Sequence, residues 1–374
     1  MVILVAGYIV RYPLGGMIWS SLQYLLGFQQ LGHEVYFMED SGWPLSCYNP
    51  EQNIMTSDPT YGVNVLSQLM KQYNLDGRWV YVDSEKNYHG LSQKRTLELT
   101  KAADLLINVS GSCWLPEFAS CRKKVFIDTD PGFTQFGTVG LNIEDYDVHM
   151  TYGYNIGRSE CPIPTMGFDW KKTRPPVALG FWPPMIDSNS TRFTTIMHWS
   201  AYETVTYEGE VYGQKDLELV KFLDLPGLIE QPLELAVGIQ EPHRSMLEEH
   251  GWGIIDPLSI TKDIESYQTY IHQSRAEFSV AKNGYVKTRS GWFSERSTCY
   301  LASGKPVLLQ DTGFSDWLPT GRGLLTFHTM EEATAGIEEI NAHYLEHCRT
   351  ARAIAEEYFD SKVVLSSLLE EAGL

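Results

Sequence analysis

The chain has 374 residues, of which 43% are hydrophobic and 20% are charged, and its formal net charge is −18 at pH 7. This length predicts two domains of comparable size, and the composition is typical of a globular protein rather than a disordered one. The negative charge argues against a general binder of nucleic acids or anionic membranes, because such proteins need a basic face to meet phosphates.

The cysteines and the N-terminus give the expected compartment. Six cysteines are scattered without a Cys-x-x-Cys pair, which favours free thiols in a reducing environment. The N-terminus has no basic region and reaches Arg11 too soon for a signal peptide, and no apolar run of about 18 residues predicts a membrane span. We therefore expect a cytoplasmic protein, whose oligomeric state the sequence leaves open.

The first residues predict a strand, a loop and a helix. Val2–Ala6 is an apolar, β-branched run typical of a central strand, and Gly15 and Gly16 open a helix after the following loop. A second strand is predicted at His33–Met38. Glycines at a loop–helix junction let a ligand approach the backbone closely. The pattern is not Gly-x-Gly-x-x-Gly, so a nicotinamide site is not supported.

Strands and helices go on alternating through the first half. Helices are predicted at Tyr61–Tyr73 and Ser92–Ala103, and strands at Trp79–Val82, Asp104–Val109 and Lys124–Ile127. This alternation predicts a parallel, doubly wound sheet of the α/β class. The loops that follow its strands should lie together on one rim, where such sheets place functional residues.

A linker divides the chain. Two proline pairs, Pro175-Pro176 and Pro183-Pro184, precede a polar run at residues 187–191. We therefore predict an N-terminal domain at 1–186 and a C-terminal domain at 187–374. The second domain repeats the α/β pattern, with predicted strands at 193–197, 233–238, 251–255, 276–280 and 307–310.

The stretch 291–309 predicts a loop, a helix and a buried strand. Ser294 is a good N-cap residue, Gly304 is a good helix stop, and an apolar run begins at Val307. The free N–H groups at the front of this helix, with Arg296 beside them, suit a diphosphate. The alternative is an ordinary helix that runs into an ordinary strand.

Two motifs lie in corresponding places of the two halves. The first is P-L-G-G-M at 13–17 with L-G-H-E-V at 31–35, and the second is Y-L-A-S-G-K-P-V-L-L-Q-D-T-G-F at 300–314. They resemble those of glycosyltransferases with the GT-B fold, in particular the large glycogen-synthase-like group 1 class. The resemblance implies two Rossmann-like domains that face each other across a cleft.

The same resemblance implies how the substrates are divided between the halves. A nucleotide-diphosphate sugar would be held by the C-terminal half and the acceptor by the N-terminal half, without a metal or another cofactor. It also implies that the last helix, about 358–374, packs back on the N-terminal domain.

One departure concerns the two glutamates, separated by seven residues, that this class usually carries. Here the corresponding positions are Gly291 and Cys299, and only Glu295 lies between them. The usual contacts to ribose and sugar hydroxyls are therefore in doubt, and inversion or retention stays open.

The predicted donor residues combine cations, glycines and helix-front groups. N–H groups and cations placed at developing negative charge stabilise a leaving diphosphate. The candidates are Gly15, Gly16, Trp199, Lys215, Ser294, Glu295, Arg296, Thr312 and Gly313. The alternatives are a solvated surface lysine at 215, a surface salt bridge at 296 and a packing role for Trp199. The basic loop 281–291 would either close over the diphosphate or stay solvated.

The catalytic candidates are Asp128, Asp130 and His149. A carboxylate at a strand end could deprotonate an acceptor hydroxyl, although Asp before Pro-Gly is also ordinary turn chemistry. The Asp-x-Asp pattern could indicate a metal in another glycosyltransferase fold, which we discount because the sheet is doubly wound. For His149 the alternative is a hydrogen-bonded, partly buried histidine. Near it, the acceptor candidates are Thr151, Tyr152 and Asn155.

The sequence therefore predicts a metal-independent glycosyltransferase with an unidentified acceptor. One rival is a nucleotide-sugar epimerase or hydrolase on the same fold, which would act without an acceptor. The other is a non-catalytic nucleotide-sugar binder, which the missing glutamates would explain.

Overall fold

The first half of the chain forms an eight-stranded sheet and a small hairpin. The computed structural model describes residues 1–137 and 142–374. The strands of this half are β1 (Val2–Ala6), β2 (Glu34–Asp40), β3 (Cys47–Asn49), β4 (Ile54–Thr56), β5 (Trp79–Val82), β6 (Tyr88–Gly90), β7 (Leu105–Val109), β8 (Lys124–Asp128), β9 (Val148–Thr151) and β10 (Trp170–Lys172). Its helices are α1 (Gly15–Gln30), α2 (Thr60–Gln72) and α3 (Gln93–Ala102).

Strand β1 lies in the middle of this sheet, as its apolar sequence predicts. The order is β10-β9-β8-β7-β1-β2-β5-β6, and the described pairs are parallel except β5 with β6. Val5 pairs with Phe37 on one side and with Ile107 on the other, and all three are fully buried. Helices cover both faces of such a strand, so every side chain along it has to be apolar.

The second half forms a six-stranded parallel sheet. Its strands, with the hairpin β12–β13, are β11 (Phe193–His198), β12 (Val205–Tyr207), β13 (Glu210–Tyr212), β14 (Leu233–Gly238), β15 (Gly253–Ile255), β16 (Ala276–Ser279), β17 (Val307–Gln310) and β18 (Leu324–Phe327). The sheet order is β15-β14-β11-β16-β17-β18. The helices are α4 (Asp216–Leu219), α5 (His243–Glu249), α6 (Leu258–Thr261), α7 (Ile264–Gln273), α8 (Asn283–Lys287), α9 (Glu295–Ala302), α10 (Met330–Ala342), α11 (Tyr344–Ile354) and α12 (Ser361–Glu371).

Helix α12 returns to the first half and packs on α1. Gly27 of α1 makes this close contact, because a Cβ there would lie 2.5 Å from a methyl group of Leu365 and 2.7 Å from Ser361 Cβ. A π-helical turn at Ala355–Phe359 connects α11 to α12. The chain therefore crosses between the two sheets twice, once before β11 and once before α12.

Two bulk features of the structure concern the cysteines and the lengths of the apolar helices. All six cysteines are free and buried. In the described ranges 1–137 and 142–374, no helix combines the length and apolar character needed to cross a bilayer.

Several predicted elements have the bounds that the structure shows, and others were missed. Strands β1, β5, β14 and β17 begin and end where the sequence predicts. The two hairpins β3–β4 and β12–β13 were not predicted, and the last helix, expected at about 358–374, is α12 at Ser361–Glu371.

Candidate functional site

A recess lies where β16 and β17 end and α9 begins. Its polar lining comes from Ser279, Ser294, Arg296, Ser297, Gln310 and Thr312. The carboxyl ends of parallel strands and the front of a helix meet here, which is where open α/β sheets bind ligands. Among the predicted donor residues, the structure therefore brings Ser294, Arg296 and Thr312 to one place.

The front of α9 is rich in unused hydrogen-bond donors. Ser294 is the N-cap residue, as predicted, but its side chain makes no capping hydrogen bond. The Ser297 hydroxyl is fully buried and has no hydrogen-bond partner in the part of the chain that the structure describes. Free first-turn N–H groups and an unpartnered hydroxyl together favour an anion.

Arg296 forms the floor of the recess and is not a surface residue. Its Nε donates to Glu277 Oε1 at 2.6 Å, and its two terminal nitrogens donate to the Ile196 carbonyl at 2.6 Å and to Ser279 Oγ at 2.8 Å. A guanidinium has five N–H groups, so two of them are left for a ligand. These contacts also lock Arg296 to two strands of the sheet.

Lys215 lies close enough to Arg296 for the charges of the two side chains to interact. Burial and, after it, the charge of Arg296 hold the pKa of Lys215 well below its usual range. No ion pair of Lys215 occurs among the described residues. These surroundings differ from those of the solvated lysine considered as an alternative. An anion bound nearby would stabilise the charged form of Lys215.

His198 lies at the end of β11 near Lys215 and Lys282, and the sequence analysis did not single it out. It ends β11 and is exposed, yet burial lowers its pKa, followed by the charges of Lys215 and Lys282. Its neighbour Trp199 stacks on His243, with ring centroids 5.2 Å apart. The position of His198 at a strand end was the signal that could have identified it.

Asp130 joins the two halves through an ion pair. Lys282 Nζ lies 3.0 and 2.9 Å from its two carboxylate oxygens, and the hydroxyls of Tyr202 and Tyr285 also donate to it. The Asp130 side chain is 32% exposed, so it borders the cleft. A carboxylate from the first half and a cation from the second therefore meet beside the recess.

The basic segment 281–291, which was predicted to be a loop, contains a helix. Residues Asn283–Lys287 form α8. Lys287 pairs with Glu210 at 2.6 Å, and Arg289 pairs with Asp316 at 3.1 Å. Each cation of this segment, Lys282 included, has a carboxylate partner.

Asp128 occupies a structural position. It is fully buried, and its carboxylate accepts hydrogen bonds from the side chains of Thr134, Gln135 and Thr151 and from the Asp130 N–H. Burial raises its pKa. This geometry matches the turn role and places Asp128 out of reach of an acceptor. In the described parts of the chain, no group of His, Cys, Asp and Glu side chains is arranged to hold a metal ion.

His149 also lies inside the first half. Its Nε2 is 2.7 Å from the Ile143 carbonyl, and its ring stacks on Phe168 at 4.0 Å. Burial lowers the pKa of His149. These contacts match the alternative of a hydrogen-bonded, buried histidine, because they leave neither the ring nor Nε2 open to a substrate.

Tyr152 and Glu295 meet between the halves. The Tyr152 hydroxyl lies 2.7 Å from the Tyr24 hydroxyl, and both residues are buried. Burial raises the pKa of Glu295, and hydrogen bonds from Ser20 and Tyr152 oppose that rise. Glu295 thus points from α9 to the N-terminal half rather than into the recess.

Asn155 bonds to the loops of the second half. Its Nδ2 donates to the carbonyls of Arg289 at 2.9 Å and Gly313 at 3.1 Å, and lies 3.2 Å from Asp316 Oδ2. Gly313 has φ +89°, and a Cβ there would lie 2.6 Å from Asn155 Nδ2. The glycine is therefore needed for this contact between the halves. Thr312 beside it donates to the Trp292 carbonyl at 2.6 Å.

Gly15 and Gly16 are close to protein rather than to an open ligand site. A Cβ on Gly15 would lie 2.4 Å from the Asp263 carbonyl oxygen, and one on Gly16 would lie 3.2 Å from the Tyr267 ring. The glycine pair lets α1 pack against α7 of the other half. The close approach to the backbone of these glycines, which was expected of a ligand, is made by α7 instead.

Comparison with known proteins shows which fold this arrangement has. No protein-family model matches the chain, and no curated protein matches it. An alpha-glucosyltransferase solved with UDP is similar in structure over 100% of both chains, with a TM-score of 0.65 and 12% identity. The chain has the GT-B fold. The predicted architecture of two Rossmann-like domains across a cleft is thus confirmed.

Two further solved structures also cover the whole of this chain. Anabaena HepE, solved with UDP and glucose, gives a TM-score of 0.57 at 11% identity and covers 100% of this chain and 99% of its own. AviGT4, a glycosyltransferase of avilamycin A biosynthesis, gives 0.55 at 12% identity, with 100% and 97% coverage. The alpha-glucosyltransferase has also been solved with UDP and a 13-mer DNA, with a TM-score of 0.63 and 12% identity.

Proposed function

We propose that this chain transfers a sugar from a nucleoside-diphosphate sugar to an acceptor held by its N-terminal half. The observation that carries the proposal is the recess at the front of α9, where the buried Ser297 hydroxyl has no partner in the described chain and Arg296 keeps two N–H groups. Lys215 lies close to Arg296 and would carry a positive charge there once an anion is bound. The three neighbouring structures are all glycosyltransferases or contain UDP, which makes uridine the first nucleoside to test.

The leaving diphosphate is the group that this recess stabilises. When the bond between the sugar C1 and the diphosphate oxygen breaks, the electron pair stays on the diphosphate. The first-turn N–H groups of α9 and the Ser297 hydroxyl lie at the recess, where they can stabilise that charge as it grows. The fixed cations do what a divalent metal would otherwise do, and we therefore propose a metal-independent reaction.

The acceptor oxygen forms the new bond to C1 and gives up its proton. Of the three predicted bases, Asp130 borders the cleft, whereas Asp128 is 0% and His149 8% exposed. We propose Asp130 as the proton acceptor, with its charge stabilised by Lys282, Tyr202 and Tyr285.

The test is a turnover assay with UDP-glucose and other nucleotide sugars, with and without a panel of hydroxyl acceptors. Acceptor-dependent release of the nucleoside diphosphate, unchanged by a metal chelator, is the expected result. Release of the nucleoside diphosphate, or isomerisation of the sugar, without any acceptor would favour a hydrolase or an epimerase. Donor binding with no turnover against any acceptor would favour a non-catalytic binder.

A further inference from the structure

An exposed tryptophan lies on the same rim of the first sheet as Asp130. Asp130 follows β8, and Trp43 follows β2. The strands run β8-β7-β1-β2 in the sheet, all parallel, so their carboxyl ends form one edge. Neighbouring strands are about 4.8 Å apart, which puts Trp43 roughly 14 Å along this edge from Asp130.

The loop after β2 is shaped to hold Trp43 against Arg11. Gly42 has φ +65°, and a Cβ there would lie 2.5 Å from Arg11 Nη1. Only glycine fits both requirements. The Arg11 guanidinium lies 4.9 Å from the Trp43 ring centroid, and Trp43 remains 51% exposed. The Trp43 ring therefore contacts Arg11, while about half of the residue is open to solvent.

The support beneath Trp43 is rigid. Arg11 is 1% exposed, and its guanidinium also lies 4.3 Å from the centroid of the Tyr8 ring and donates to the Ser112 carbonyl. The fully buried Glu39 carboxylate accepts the N–H groups of residues 9, 10 and 11 at 2.8–2.9 Å. A ring fixed before binding loses little conformational entropy when a ligand stacks on it.

Polar groups lie between the tryptophan and the cleft. The Ser112 hydroxyl is 2% exposed and has no partner among the residues the structure describes. Asp40 accepts the backbone N–H of Trp114 at 3.0 Å, and the partly buried indole of Trp114 donates to the Gly111 carbonyl at 2.8 Å. A sugar chain presents apolar C–H faces for stacking and hydroxyls for such groups. The carboxylate of Asp40 would instead repel a phosphate backbone.

We propose that the acceptor is an oligosaccharide that lies along this edge, with its reacting hydroxyl at Asp130 and a more distant sugar ring stacked on Trp43. The inference deepens the proposed function and rests on it for the identity of the reacting end. The acceptor must be longer than one sugar unit, because a single unit does not span the distance from Asp130 to Trp43.

The test compares Trp43→Ala and Trp43→Phe with wild type. The probes are a panel of short oligosaccharides, the matching monosaccharides and a single-stranded oligonucleotide, and UDP binding is measured in parallel. Leu345→Ala is the matched control, because Leu345 is 49% exposed in the second half. We expect Trp43→Ala to weaken binding of the best oligosaccharide roughly tenfold. Trp43→Phe should restore part of that loss, and binding of UDP should not change.

Three results would overturn the inference. One is that no oligosaccharide of the panel binds the wild-type chain, and another is that Trp43→Ala binds the best one as tightly as Leu345→Ala does. The third is an oligonucleotide that binds in a Trp43-dependent way while oligosaccharides do not. A chain that binds oligosaccharides through Trp43 but fails to bind any nucleoside diphosphate would support this surface and contradict the proposed function instead.

Discussion

Replacing Asn155 with alanine tests how the halves of the donor site are held together. The side chain donates from the N-terminal half to the carbonyls of Arg289 and Gly313 and lies 3.2 Å from Asp316 Oδ2. An amide has two N–H groups, so the three contacts amount to two full hydrogen bonds. At about 1 to 1.5 kcal/mol for each buried bond, Asn155→Ala should lower the free energy of unfolding by roughly 2 to 3 kcal/mol.

The loss should appear both in stability and in ligand binding. Urea unfolding followed by tryptophan fluorescence measures the first. A UDP titration measures the second, since Gly313 borders the recess and its loop would no longer be fixed by Asn155. Asn189→Ala is the control, because that exposed side chain bonds to the nearby Asp187. A destabilisation of less than about 0.5 kcal/mol, the usual range for surface changes, would refute this account of the interface.

Two more predictions concern charge and packing. Because burial and Arg296 hold the pKa of Lys215 low, a bound diphosphate should raise that pKa. UDP binding should therefore take up protons and weaken as the pH rises, since the free lysine loses its charge. Calorimetry in buffers of different ionisation enthalpy measures this uptake, and equal heats in all buffers, or uptake that persists in Lys215→Met, would contradict it. Gly15→Ala should destabilise the chain by about 1 to 3 kcal/mol, because the new Cβ would lie 2.4 Å from the Asp263 carbonyl. In urea unfolding, Gly227→Ala, which has nothing within 4 Å, should behave like wild type, and equal effects of the two changes would show that α1 and α7 do not pack this closely.

The sequence predicts what depends on local patterns. Strands such as β14 and β17 are apolar runs between turn residues, and their bounds were predicted correctly. The hairpin β12–β13 was missed because its support is not local. Phe136 of the other half stacks on Tyr207 at 4.8 Å and on Tyr212 at 4.6 Å. Such a contact cannot be read from either segment alone.

The same distinction explains the outcome for the site. The stop at Gly304 and the N-cap at Ser294 are local signals, and they located α9 and its open front correctly. The direction of His149 depends instead on strand register. It pairs with Phe126 and Trp170, and its ring lies 5.7 Å from that of Trp170. Sequence spacing could not show that it packs into the interior of the first half.

A titration of UDP against wild type and Ser297→Ala tests the central claim most directly. The Ser297 hydroxyl has no partner within the described chain, so its removal breaks no protein hydrogen bond and should leave the free energy of unfolding unchanged or raised. If the diphosphate binds at the front of α9, the same change should weaken UDP binding about tenfold, the loss of one hydrogen bond to a charged group. Equal affinity of both proteins for UDP, or no binding to either, would contradict the assignment of this recess as the donor site.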